Sequence, residues 1–120
     1  MTTGKSKKKA KAGKAQTGIS AARLAEMIEE ATVDAHDESE QVMGWLTMFE
    51  NHLALPFETE VLGVPVTVEA IEERYDNRIV AVCKRGKRSQ AIDITELPMP
   101  KEKPAGAEWI EAYRQWRGGQ

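Results

Sequence analysis

Residues 34–57 read DAHDESEQVMGWLTMFENHLALPF. The stretch opens on clustered carboxylates and passes into an apolar pattern around Trp45. It stops at Pro56, beyond which the sequence alternates like a strand. Val42, Trp45, Leu46, Phe49 and Leu53 fall at offsets 0, 3, 4, 7 and 11, one apolar stripe of an amphipathic helix. Asp37 and Glu40 stand three apart just before it, the spacing of a capping box. Leu55 precedes a proline and is pushed out of the α region, so the helix ends there. Gly44 within it costs about 1 kcal/mol against alanine, which predicts close backbone packing at that point.

On the N-terminal side, Leu24, Met27, Ile28, Ala31 and Ala35 repeat the same offsets behind a candidate cap, Ser20. Two helices with a corner near His36–Glu38 are expected. Before them, six lysines between positions 5 and 14 lie among Gly, Ser, Thr, Ala and Gln. Such a segment buries too little apolar surface to offset its ordering entropy, and residues 1–18 are expected to be a disordered tail. Residues 19–120 are expected to form one domain, helical over 19–55, a small β-barrel over 56–98 and helical again over 104–117.

On the C-terminal side, Val64, Val66, Val68 and Ala70 alternate with Pro65, Thr67 and Glu69, the pattern of a half-buried strand. Asp76-Asn77 predicts a turn, residues 78–84 a second strand, Gly86 another turn, and Gln90, Ile92 and Ile94 one face of a third strand. With Phe57–Leu62 this makes four or five short antiparallel strands, enough to curl into a barrel. Pro98, Pro100 and Pro104 keep the next segment extended. Trp109, Ile110, Tyr113 and Trp116 then form an aromatic helix face suited to plugging an open end.

The whole chain of 120 residues has a formal charge of −2, but the balance is uneven. Without the six tail lysines, 11 bases face 19 acids. Ten of those acids lie between Glu26 and Glu60. An acidic body favours cations over nucleic acid, leaving the lysine tail as the element for nonspecific counterion release. Arg74, Arg78, Lys84, Arg85, Lys87 and Arg88 are split between turns at opposite ends of a meander. No apolar run reaches the roughly 20 residues of a membrane span, so no membrane partner is expected. With no signal peptide and a single cysteine, Cys83, the expected place is the cytoplasm and the expected state a monomer.

Carboxylate oxygens are the ligands of hard cations, and Asp34, Asp37, Glu38 and Glu40 lie within seven residues. A bent corner brings several of them together, with Glu50 on the next helix as a further donor. The plain alternative is a solvated acidic face in which Asp37 and Glu40 are occupied as caps. The D-x-D-x-D-G spacing of an EF-hand is absent. His36 and His52 are too far apart in sequence to imply a shared site, and Cys83 reads as a small core residue. No nucleophile motif frames these residues, so no enzyme is expected.

Val33-Asp34-Ala35, Met43-Gly44-Trp45 and Leu55-Pro56-Phe57 together make the chain resemble a small bacterial calcium-binding protein family, best known from filamentous cyanobacteria. Glu108, Ile110, Glu111 and Trp116 extend the likeness, which covers roughly residues 27–117. The resemblance implies a non-EF-hand calcium (Ca2+) binder with helices on an SH3-like barrel. Asp34, Glu38, Glu40 and Glu50 match its acidic positions. Ser39 interrupts the acidic run, Asn51 replaces an acid, and the loop at Gly63 is short. The expected function is a calcium buffer or sensor, with calcium as partner and any protein partner unnamed. The rival is an SH3-like interaction or nucleic-acid module tethered by its basic tail.

Overall fold

The computed structural model describes residues 19–118; the expected tail over 1–18 lies outside them. Helix α1 spans Ala21–Thr32 and is capped by Ser20, whose Oγ accepts from Arg23 N at 3.0 Å. Met27 and Ala31 face the core, as the stripe predicts. The helix stops before Ala35, earlier than the apolar spacing suggests. Thr32 Oγ1 bonds back to the Ile28 carbonyl (2.7 Å), Val33 is extended, and Asp34 turns to φ 60°. Aspartate tolerates that left-handed region better than most residues, so three local preferences override one alanine.

Helix α2 spans Glu38–His52 and buries Val42, Trp45 and Phe49. A Cβ on Gly44 would lie 2.0 Å from the Ala31 carbonyl oxygen, so α1 and α2 touch backbone to backbone there. Past α2, Ala54 N donates to Ala105 O (2.9 Å), tying the helix exit to the start of the C-terminal helix. Gly106 is pressed against that exit, where a Cβ would meet His52 O at 2.1 Å, and its φ is 86°.

The strands are β1 (Phe57–Val61), β2 (Val64–Arg74), β3 (Arg78–Arg85) and β4 (Arg88–Asp93). They form an antiparallel meander in the order β1-β2-β3-β4, with a bulge in β2 between Val68 and Ala70. The turns fall where expected: Tyr75, Asp76 and Asn77 all have positive φ, as does Gly86. The sheet is not closed into the barrel that the sequence suggests: β1 pairs with β2 alone and β4 with β3 alone. The segment after β4 passes β1 at Thr59, whose Oγ1 donates to Pro98 O at 2.6 Å. Prolines at 98, 100 and 104 lack the amide hydrogens a closing ladder needs.

Helix α3 (Ala107–Gly118) packs on α1 and α2 rather than plugging a barrel mouth. Trp45 is its anchor, with ring centroids at 5.5 Å from Tyr113, 5.8 Å from Trp116 and 6.4 Å from both Trp109 and Phe49. These rings join Phe57, Val68, Ile79 and Ala81 of the sheet in one buried cluster. Arg114 fixes α3 to the chain beyond β4 by donating to the Ile94 (3.1 Å) and Leu97 carbonyls. No helix among the described residues is long and apolar enough to cross a membrane.

Candidate metal centre

The α1–α2 corner holds four of the five carboxylates singled out by the sequence. Asp34 leads out of α1 in left-handed backbone and is exposed. Asp37 is the N-cap of α2, with Oδ1 accepting from Glu40 N at 2.9 Å. Glu40 reaches back so that its Oε1 accepts from His36 N at 2.6 Å. The expected capping box therefore forms, shifted by one residue on its return bond. Glu38 Oε2 accepts from Arg117 Nη1 at 2.8 Å. Glu38 and Glu40 both occupy the first turn of α2, where the positive end of the helix dipole offsets part of their mutual repulsion.

These bonds leave oxygens over. Among the described residues, Asp34 has no hydrogen-bond or ion-pair partner, and Asp37, Glu38 and Glu40 each keep one carboxylate oxygen outside any protein bond. Asp34 and Glu40 open on one hollow of about 340 Å³, floored by Ala31 and Gly44 and edged by Val33, Ser39 and Met43. Asp37 and Glu38 do not line it. Such oxygen donors suit a hard cation that keeps several waters. They do not make a finished cage: among the described residues no three His, Cys, Asp or Glu side chains are gathered to hold a metal.

Glu50 is elsewhere. Ten residues of helix separate it from Glu40, a rise of about 15 Å. It borders a groove between α2 and β2 together with Glu69, Glu72 and Glu73. Sequence reasoning missed those three β2 glutamates. The signal was the broken alternation at Glu69-Ala70-Ile71-Glu72, which the β2 bulge accommodates. Each already has a partner: Glu69 lies 3.9 Å from Lys84 Nζ, Glu72 binds Arg74 at 2.8 Å, and Glu73 accepts from Asn77 N.

His52 stacks on Trp109 with centroids 4.9 Å apart, while His36 is exposed at the corner. Cys83 is buried, and burial pushes its thiol pKa upward, away from the thiolate a nucleophile needs. Arg117 was also not singled out from sequence. Besides Glu38 it donates to Tyr113 Oη (2.8 Å) and to Asn77 O (2.7 Å), and its guanidinium lies 4.8 Å from the Trp116 ring centre.

A protein-family model described as calcium binding matches residues 25–117. No curated protein and no solved structure matches the chain.

Proposed function

The chain belongs to that calcium-binding family, and on this premise we propose that it is a non-enzymatic calcium buffer or sensor whose ion is held at the α1–α2 corner. The observation that carries the reading is the pairing of Asp34 and Glu40 on one hollow, with the Asp34 carboxylate unengaged among the described residues. Asp37 and Glu38 supply further oxygens from the rim. Calcium itself supplies two positive charges that offset carboxylate repulsion, and its tolerance of six to eight mixed ligands suits a donor set completed by water. Magnesium, which demands near-octahedral geometry and sheds water reluctantly, suits it less.

The ligand residues also do structural work. Asp37 holds α2 by its cap, Glu40 holds the corner through His36 N, and Glu38 holds Arg117. A cation that draws on these carboxylates is felt at the start of α2, in α3 and at the β2–β3 turn. That coupling favours a sensor over a passive buffer. The fifth sequence candidate, Glu50, belongs to the α2–β2 groove and is assigned no part in the corner. The rival reading, an SH3-like interaction or nucleic-acid module, drew on a small barrel and on the basic tail; the sheet is open, and the tail lies outside the described residues.

Isothermal titration of the full chain with calcium, magnesium and zinc tests the assignment. Calcium is expected to bind with a dissociation constant on the order of 10⁻⁵–10⁻³ M, ahead of magnesium. Asp34→Asn with Glu40→Gln should abolish the calcium heat, whereas Glu50→Gln should leave it in place. A double variant that binds like the parent removes the corner as the site. A parent without any calcium heat at millimolar concentrations removes the function.

A further inference from the structure

The β1–β2 and β3–β4 turns lie at the same end of the meander, opposite the β2–β3 turn. At that end Leu62 is 97% exposed, the most exposed of the large apolar side chains among the described residues. It sits at φ 52° beside Gly63 at φ 77°, a two-residue turn that favours Asn, Asp or Gly in its first place. Leucine there gains nothing from packing and does not suit the backbone, so folding does not account for it.

Register explains what surrounds it. Directly paired residues share a face, so Val61, Val64, Val66, Cys83 and Ile92 lie on the same side of the sheet as core residues Val68 and Ala81. The helices cover only part of that face. At the hairpin end it opens as a hollow of about 370 Å³, with Leu62 on one rim and Arg85 and Arg88 on the other. Lys87 lies between the two arginines in the β3–β4 turn. Among the described residues, Arg85, Lys87 and Arg88 have no carboxylate within ion-pair distance. The sequence has no acid from 84 to 92, and Glu60 lies on the other face, opposite Pro65.

We propose that this end of the sheet docks on an anionic lipid bilayer. Leu62 and the valine edge enter the headgroup–acyl boundary, and Arg85, Lys87 and Arg88 meet lipid phosphates and carboxylates. An exposed apolar tip facing unpaired bases across one hollow carries the two contributions that hold a protein on an acidic membrane surface. A nucleic acid would use the bases and leave the leucine without a role. The sequence expectation of no membrane partner came from the lack of a spanning segment, a criterion that does not bear on surface docking.

The test is flotation of the full chain with phosphatidylcholine vesicles containing about 30% phosphatidylserine, against phosphatidylcholine alone, at about 0.15 M salt in EDTA. Chelation removes calcium bridging, so the outcome does not depend on the proposed calcium site. The parent should partition to the anionic vesicles and not to the neutral ones. Arg85→Gln with Arg88→Gln should weaken partition about thirty-fold, the loss of two basic surface contacts. Leu62→Asn fits the turn and keeps every charge, yet should weaken it about tenfold. Far-UV circular dichroism and thermal melts identical to the parent establish that each variant is folded. Equal partition of parent and variants would assign the binding to the lysine-rich tail and overturn the proposal. So would a duplex oligonucleotide bound through Arg85 and Arg88 while Leu62→Asn changes neither ligand.

Discussion

A methyl group at position 44 would stand 2.0 Å from the Ala31 carbonyl oxygen, and both partners are backbone. Helix propensity alone favours Gly44→Ala by about 1 kcal/mol. The contact reverses that sign, because α1 and α2 must separate to admit the methyl, and a net loss of about 2–3 kcal/mol is expected in urea unfolding. A stabilised variant would show that the helices slide apart freely. Asp93 offers a pH test at the same scale. Burial alone would raise its carboxyl pKa, but bonds from Thr95 Oγ1 (2.7 Å) and N (2.9 Å) and from Arg78 Nη2 (2.5 Å) outweigh this and hold it below the usual range. A depressed carboxylate contributes stability that is complete above its unfolded pKa near 4 and fades as pH falls through the folded value. Asp93→Asn should therefore flatten the acid limb of the stability curve below about pH 4. The cost at neutral pH should be only about 1 kcal/mol, since Arg78 is partly solvated. An unchanged acid limb would remove Asp93 as its source.

Helix α3 owes its place to one face. Trp109, Ile110, Tyr113 and Trp116 are all buried, and Trp116 touches both Trp45 and Tyr113. Trp116→Ala should cost about 3–5 kcal/mol in chemical denaturation; a cost below about 1 kcal/mol would mean the helix is only loosely docked. The helices were legible in the sequence because an apolar stripe and a cap are local signals. Ser20, Asp37 and the Trp109–Trp116 spacing each required no knowledge of distant neighbours. Strand limits were legible within a few residues. Closure of the sheet was not, since it depends on whether β1 and β4 meet, and no local pattern encodes that. The candidate centre divides in the same way. Adjacent acids at the corner could be read, whereas the reach of Arg117 to Glu38 spans 79 positions and the turning-away of Glu50 follows from helix geometry.

For the molecule as a whole, the family match begins at residue 25, beyond the lysine-rich segment. A chain starting at Gly18 should thus keep the calcium response of the parent and melt within a few degrees of it, as a segment dominated by Lys, Gly, Ser, Thr and Ala offers little apolar surface to bury. A lost calcium response would place part of the function in the first 17 residues. Calcium should raise the melting temperature with the logarithm of its free concentration above the dissociation constant, the gain in stability reaching about 2.7 kcal/mol at a hundred times that constant.

The gathering of rings around Trp45 has an optical consequence. All three tryptophans of the chain lie in that one cluster, with Tyr113 between them. Centroid distances near 6 Å are short enough for excitation to pass between indoles, so tryptophan emission, excited at the red edge where Tyr75 does not absorb, comes from the α2–α3 contact. Near-ultraviolet dichroism should carry the signature of coupled chromophores and vanish when α3 undocks. The tryptophan emission of this protein is therefore a gauge of a single joint, blind to the sheet end at Leu62 and sensitive to anything that shifts Arg117 against Trp116.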